Sequence, residues 1–189
     1  MIEVAAALIV WLGAALVVLA DARRGLALGL ALVTIGFAVL AWASGQPVGG
    51  VAVVVGGMTG ALRCLTAGPA RWGLMPPGST PRLVLCLAAG LLSLWISASV
   101  TPRPGGPLLF AVLVVLGLMA ARILTSGDII VDRTAIACFA LALASSPALA
   151  SSSPTGPVPY IFGALIAAAV IAAPATLPQG AARSGKHGG

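Results

Sequence analysis

Long stretches with almost no charge alternate with short polar intervals along the chain. The apolar stretches cover about residues 4–20, Leu26–Ala43, Val51–Leu65, Leu83–Ser99, Leu108–Leu124, Thr134–Ala150 and Tyr160–Ala175. They are continuously apolar and lack the alternation that strands of a membrane barrel require. At 1.5 Å per residue, about 18 such residues cross about 30 Å of hydrocarbon. The pattern therefore predicts an all-α, polytopic integral membrane protein with about seven transmembrane helices. These form a single helical bundle over residues 1–176, and a polar, Gly-rich tail at 177–189 is expected to be flexible. The sixth stretch is the weakest span, short and interrupted by Pro147. If either of the last two stretches re-enters without crossing, the count is six.

The polar intervals orient the bundle. Asp21-Ala-Arg-Arg-Gly25 reads as a tight turn, Ser44 to Gly50 is an uncharged turn, and Arg63 to Arg82 holds Arg71 with Pro69, Pro76, Pro77 and Pro81, which forbid a regular helix through it. Thr101 to Pro107 and Ser151 to Pro159 are further turns, and Arg122-Ile-Leu-Thr-Ser-Gly-Asp128-Ile-Ile-Val-Asp132-Arg133 is a charged turn with arginine at both ends. Arg23 and Arg24, then Arg63, Arg71 and Arg82, then Arg122 and Arg133, then Arg183 and Lys186 fall in alternate intervals, and Arg103 alone does not. Basic residues favour the cytoplasmic side, so the N-terminus is expected outside and the C-terminus in the cytoplasm. Glu3 stands where a signal peptide wants positive charge, so the first stretch is expected to be retained as a span.

Composition agrees with lipid as the main solvent. Of 189 residues, 60% are hydrophobic and 7% charged, against about 25% charged in soluble domains, and the mean hydropathy is +1.13. The net charge of +6 is scattered singly or in pairs, without the basic stripe that nucleic acid would need; no nucleic-acid partner is expected. Nine of the ten basic residues are arginine, and alanine and glycine abound. This fits a GC-rich bacterial genome, and the expected location is the bacterial cytoplasmic membrane. Helix packing has a source in small residues spaced by four, Gly25 with Gly29, Gly56 with Gly60 and Gly163 with Ala167.

The chemistry is defined mostly by what is missing. No ionisable or amide side chain falls in the middle of an apolar stretch, which argues against proton- or ion-coupled transport. The only histidine, His187, lies in the tail, which excludes paired-histidine haem ligation and a histidine dyad within the bilayer. Thr34, Thr59, Ser93, Ser97 and Ser99 are expected to bond back to the preceding helical turn. Cys64, Cys86 and Cys138 contain no CxxC pair and read as small buried hydrophobes rather than a soft-metal site. Ser126-Gly127-Asp128 resembles the end of the Gly-x-Gly-Asp signature of prepilin-type aspartyl proteases, but Thr125 stands where the first glycine belongs. No role is carried over from it.

What remains is a cytoplasmic interaction surface formed by Arg63, Arg71, Arg82, Arg122, Asp128, Asp132 and Arg133, in which the 122–133 stretch is the expected partner of the arginine-rich 63–82 interval. The reading is a non-catalytic subunit or scaffold of a larger membrane complex. Its expected partners are the lipid bilayer and other membrane subunits or further copies of itself, and no cofactor is implied. The alternative is a small carrier or facilitator for a neutral or lipid-like solute.

Overall fold

In a computed structural model the described residues are 1–66, 80–100, 105–150 and 156–173. They are all-helical. The elements are α1 (Ile2–Leu19), α2 (Arg23–Ala43), α3 (Pro47–Thr66), α4 (Thr80–Val100), α5 (Gly106–Thr125), α6 (Ile129–Ser145), the single turn α7 (Pro147–Ala150) and α8 (Val158–Ala172). Arg71, Arg103 and the 177–189 tail lie outside the described residues.

Six helices are long and apolar enough to cross a membrane: α1 to α5, and α6 continued through α7 as Ile129–Leu149. The protein is thus a multi-pass membrane protein by the length and composition of its helices. The seventh apolar helix, α8, has 15 residues, about 22 Å at 1.5 Å each. Its shortness makes it, and not the sixth stretch, the weakest candidate. The sixth gains length at its start, because Asp128 caps α6 by accepting the amide of Ile130 at 2.9 Å, the usual action of aspartate ahead of a helix. Ile129 to Arg133 are therefore helical, where the sequence pattern had placed a turn. Pro147, which cannot donate to the ladder, separates α6 from α7.

Residues Ser44 to Gln46 join α2 to α3 through paired end-of-helix bonds, with the Gln46 amide on the Ala41 carbonyl at 2.9 Å and the Gly45 amide on that of Trp42 at 3.0 Å. This closure needs a left-handed residue, and Gly45 supplies it with φ 76°. Pro47 then opens α3, where its missing N–H costs nothing.

Six helices close a ring in the order α1, α2, α3, α8, α6, α5 and back to α1, and α2 also touches α6 across the middle. Leu30, Val33, Phe37, Leu118 and Leu141 are fully buried there. Close approach rests on glycine. A Cβ on Gly13 of α1 would stand 2.8 Å from the Gly29 carbonyl oxygen of α2, and one on Gly56 of α3 would stand 2.6 Å from the Ala164 oxygen of α8. Backbone contact of this kind is how helices associate where lipid is as apolar as leucine. Of the three spaced pairs in the sequence, Gly29, Gly56 and Gly163 lie at such contacts, while a Cβ on Gly25 would meet only Ala20 of the adjoining turn.

Helix α4 stands apart. It packs on α5 and more lightly on α1, and 22% of its span is buried, against 44–61% for the other five.

Candidate functional site

The turn between α1 and α2, the end of α3, the start of α4, the end of α5 and the start of α6 meet at one end of the bundle. Every arginine among the described residues is there: Arg23, Arg24, Arg63, Arg82, Arg122 and Arg133. Glu3 lies at the other end, beside Trp42.

One half of this end is built on Asp21. Its Oδ1 accepts Arg122 Nη2 at 2.5 Å, and its two oxygens accept Arg82 Nη1 at 3.0 and 3.1 Å. Arg122 is 3% exposed and also donates to the Ala20 carbonyl at 3.3 Å. Its Nε is buried without a partner. A buried guanidinium requires a counter-charge, and Asp21 provides it from a turn that remains partly open to water. Burial pulls the Asp21 carboxyl upward, but the hydrogen bonds and charges of Arg122 and Arg82 outweigh it and hold the group below its ordinary value of 3.8. A cleft of about 310 Å³ lies beside the two arginines, walled by Val18, Pro81, Leu85 and Thr125.

The other half gathers cations. Arg23 of α2, Arg63 of α3 and Arg133 of α6 line a cleft of about 50 Å³ with Cys64, Thr134, Ile130 and Ile171. Arg133 Nη1 also donates to the Ala173 carbonyl at 2.6 Å, which closes the C-terminus of α8. Thr134 Oγ1 donates to the Ile130 carbonyl at 2.9 Å and lies 3.8 Å from Cys64 Sγ.

Arg82 and Arg122 are therefore brought together by Asp21, and Arg63 and Arg133 share a cleft. Asp128 and Asp132 turn to their own segment, the first capping α6 and the second accepting the Ser126 hydroxyl. Arg82 pairs with Asp21 and not with an aspartate of the 122–133 stretch. Arg71 lies outside the described residues. Asp21, which the sequence pattern places only in a tight turn, is the residue on which two of the arginines converge. Its one distinguishing signal is position, in a three-residue turn with α1 behind it and α2 ahead.

Several hydroxyls serve the helices that carry them. Thr34, Thr59, Ser97 and Ser99 bond to carbonyls three or four residues back. The three cysteines are buried, and among the described residues no three metal-ligating side chains gather. A third, apolar cleft of about 390 Å³ lies between α1, α4 and α5, lined by Trp11, Leu87, Leu91, Leu94, Ser97 and Phe110 among others. The Trp11 indole N–H donates to the Cys86 carbonyl at 3.3 Å at this interface. Comparison with protein-family models, with curated proteins and with solved structures finds no match.

Proposed function

We propose that the chain is a non-catalytic, multi-pass subunit or scaffold of a larger membrane complex in the bacterial cytoplasmic membrane, with its arginine-rich end in the cytoplasm. The observation that carries this reading is α4. A helix with 22% of its span buried presents Leu83, Val84, Leu87, Leu91, Leu92 and Trp95 outward. In lipid such a face costs little by itself, yet tight packing, the main force between membrane helices, is unused there. The cytoplasmic assignment follows from the arginines.

The test is site-directed cross-linking in native membranes, with single cysteines at Leu91 or Phe162 in a chain whose own cysteines are replaced by alanine. An adduct of fixed stoichiometry from Leu91 on α4, and none from Phe162 on α8, is the expected result. An adduct at twice the 18.5 kDa chain mass identifies self-association. A monodisperse monomer with no adduct from Leu91 refutes the reading.

The apolar cleft between α1, α4 and α5 favours a second reading, a carrier or facilitator for a neutral or lipid-like solute. Reconstitution of the chain alone, with flux measured across a panel of such solutes, decides it. Flux abolished by Gly90→Leu, which fills the cleft wall, supports this reading, and no flux removes it.

A further inference from the structure

We propose that the cleft beside Arg82 and Arg122 is a binding site for one anionic phospholipid, with its phosphate against the two guanidiniums and the start of an acyl chain along the apolar wall. This goes beyond the assembly reading and does not depend on it.

The charge comes first. Among the described residues this end of the bundle carries six arginines and three aspartates. One of those aspartates, Asp21, serves two arginines at once, Arg122 at 2.5 Å and Arg82 at 3.0 Å. The trio therefore keeps one positive charge. Both guanidinium side chains line the cleft, and among the described residues no carboxylate does. Guanidinium forks match phosphate oxygens two at a time, and arginine is the side chain favoured for that geometry.

Arg122 supplies an independent sign. It is 3% exposed, and its Nε is buried with no hydrogen-bond partner. A buried donor without an acceptor is costly, and an orphan of this kind calls for an explanation. The side chain that carries it is part of the cleft wall. An oxyanion drawn in between Arg82 and Arg122 brings an acceptor that the chain itself does not provide.

The rest of the wall favours a lipid over a free ion. Arg82 lies in the first turn of α4, and Arg122 and Thr125 lie in the last turn of α5, the depth at which headgroups meet spanning helices. Leu85 and Ala121 line the same cleft about one turn further in. Val18 is buried at its floor, whereas Leu85 is 41% exposed, so the cleft opens sideways toward hydrocarbon. Its volume of about 310 Å³ is about twice the roughly 150 Å³ that takes one benzene, room for a phosphate and the beginning of a chain. Basic pockets between spanning helices take phosphate-bearing headgroups in this way.

The test uses the full chain in phosphatidylcholine nanodiscs containing phosphatidylglycerol. Native mass spectrometry reads lipid retention, and thermal unfolding checks that each variant is folded. Arg82→Gln removes one guanidinium from the rim. Leu85→Trp obstructs the apolar wall and leaves both ion pairs in place. Leu83→Trp, on the same helix but outside the cleft, and Arg63→Gln, an exposed arginine at the same end, are the controls. The predicted result is one phosphatidylglycerol retained per chain in preference to phosphatidylcholine. Its affinity falls about tenfold in Arg82→Gln, the size expected for losing one charge-assisted contact, falls also in Leu85→Trp, and is unchanged in both controls. Failure of the unaltered chain to prefer the anionic lipid overturns the proposal. So does an equal loss in Arg82→Gln and Arg63→Gln, which would mean diffuse surface charge. Binding of inorganic phosphate in detergent that depends on Arg82 but not on Leu85 would assign the cleft to a free ion and overturn the lipid assignment.

Discussion

The two arginine clusters at the charged end occupy neighbouring ground and are built in opposite ways. Arg122 is sunk in the bundle beneath a carboxylate that answers it, with Arg82 completing the pair from α4. Arg23, Arg63 and Arg133 line a small cleft together with Cys64, Ile130 and Thr134. A buried charge without its partner destabilises strongly, whereas exposed charges contribute little to stability. The first cluster therefore belongs to the fold, since it ties α4 and α5 to the α1–α2 turn. The second lies nearer the surface, where Arg63 is exposed and a change of charge costs the fold little.

The largest expected effect comes from breaking the first cluster. Asp21→Ala leaves Arg122 buried and unanswered. The loss should be roughly 2–3 kcal/mol, reduced from the about 3–5 kcal/mol of a wholly buried pair because the Asp21 side chain is 42% exposed and water screens it. Pairing it with Arg122→Met should recover most of that loss, which equilibrium unfolding in detergent would show as a strongly coupled double-mutant cycle. Additive effects would mean that Arg122 finds its counter-charge elsewhere.

Next in size is a change that touches neither cluster. Gly13→Ala or Gly56→Ala places a methyl under 3.0 Å from the backbone of the facing helix, and the forced separation should cost about 1–3 kcal/mol. Helix cross-linking between α1 and α2, or α3 and α8, reads the displacement. In the second cluster, Arg133→Gln loses the bond to the Ala173 carbonyl, worth about 0.5–1.5 kcal/mol, and should loosen the end of α8 in amide exchange. Arg63→Gln should stay within about 0.5 kcal/mol of the parent when no anion is present, the usual range for surface changes.

The clusters also separate by pH. The Asp21 carboxyl is held below 3.8 by its arginines. Its contribution is complete above that value and fades only as the pH falls through the lower, folded-state value. Stability titrated from neutral to acid should decline in the parent at the acid extreme, and Asp21→Asn should remove that part of the decline. A dependence near neutrality that vanishes in Asp21→Asn would contradict the assignment.

Much of the helical layout could be read from the chain alone, because apolar runs of membrane-crossing length leave the backbone little alternative to a helix. The edges were less legible. The start of α6 at Ile129 depends on a cap by Asp128, and the same aspartate reads as loop charge when only polarity is considered. The reach of α8 was overstated, since the apolar stretch continues to Ala175 but the helix stops at Ala172. The Asp21 cluster could not be found by pattern, because its partners lie 61 and 101 residues away. The exposure of α4 was hidden for a related reason. Its sequence is apolar along its whole length, and which apolar face meets protein and which meets lipid is decided by three-dimensional placement.

The most direct measurement of the division between the clusters is thermal unfolding of Asp21→Ala and Arg63→Gln in nanodiscs. The account predicts a clear fall in melting temperature for Asp21→Ala, which leaves Arg122 buried without its carboxylate, and a stability within about 0.5 kcal/mol of the parent for Arg63→Gln. Equal losses in the two variants, or a larger loss in Arg63→Gln, would contradict it.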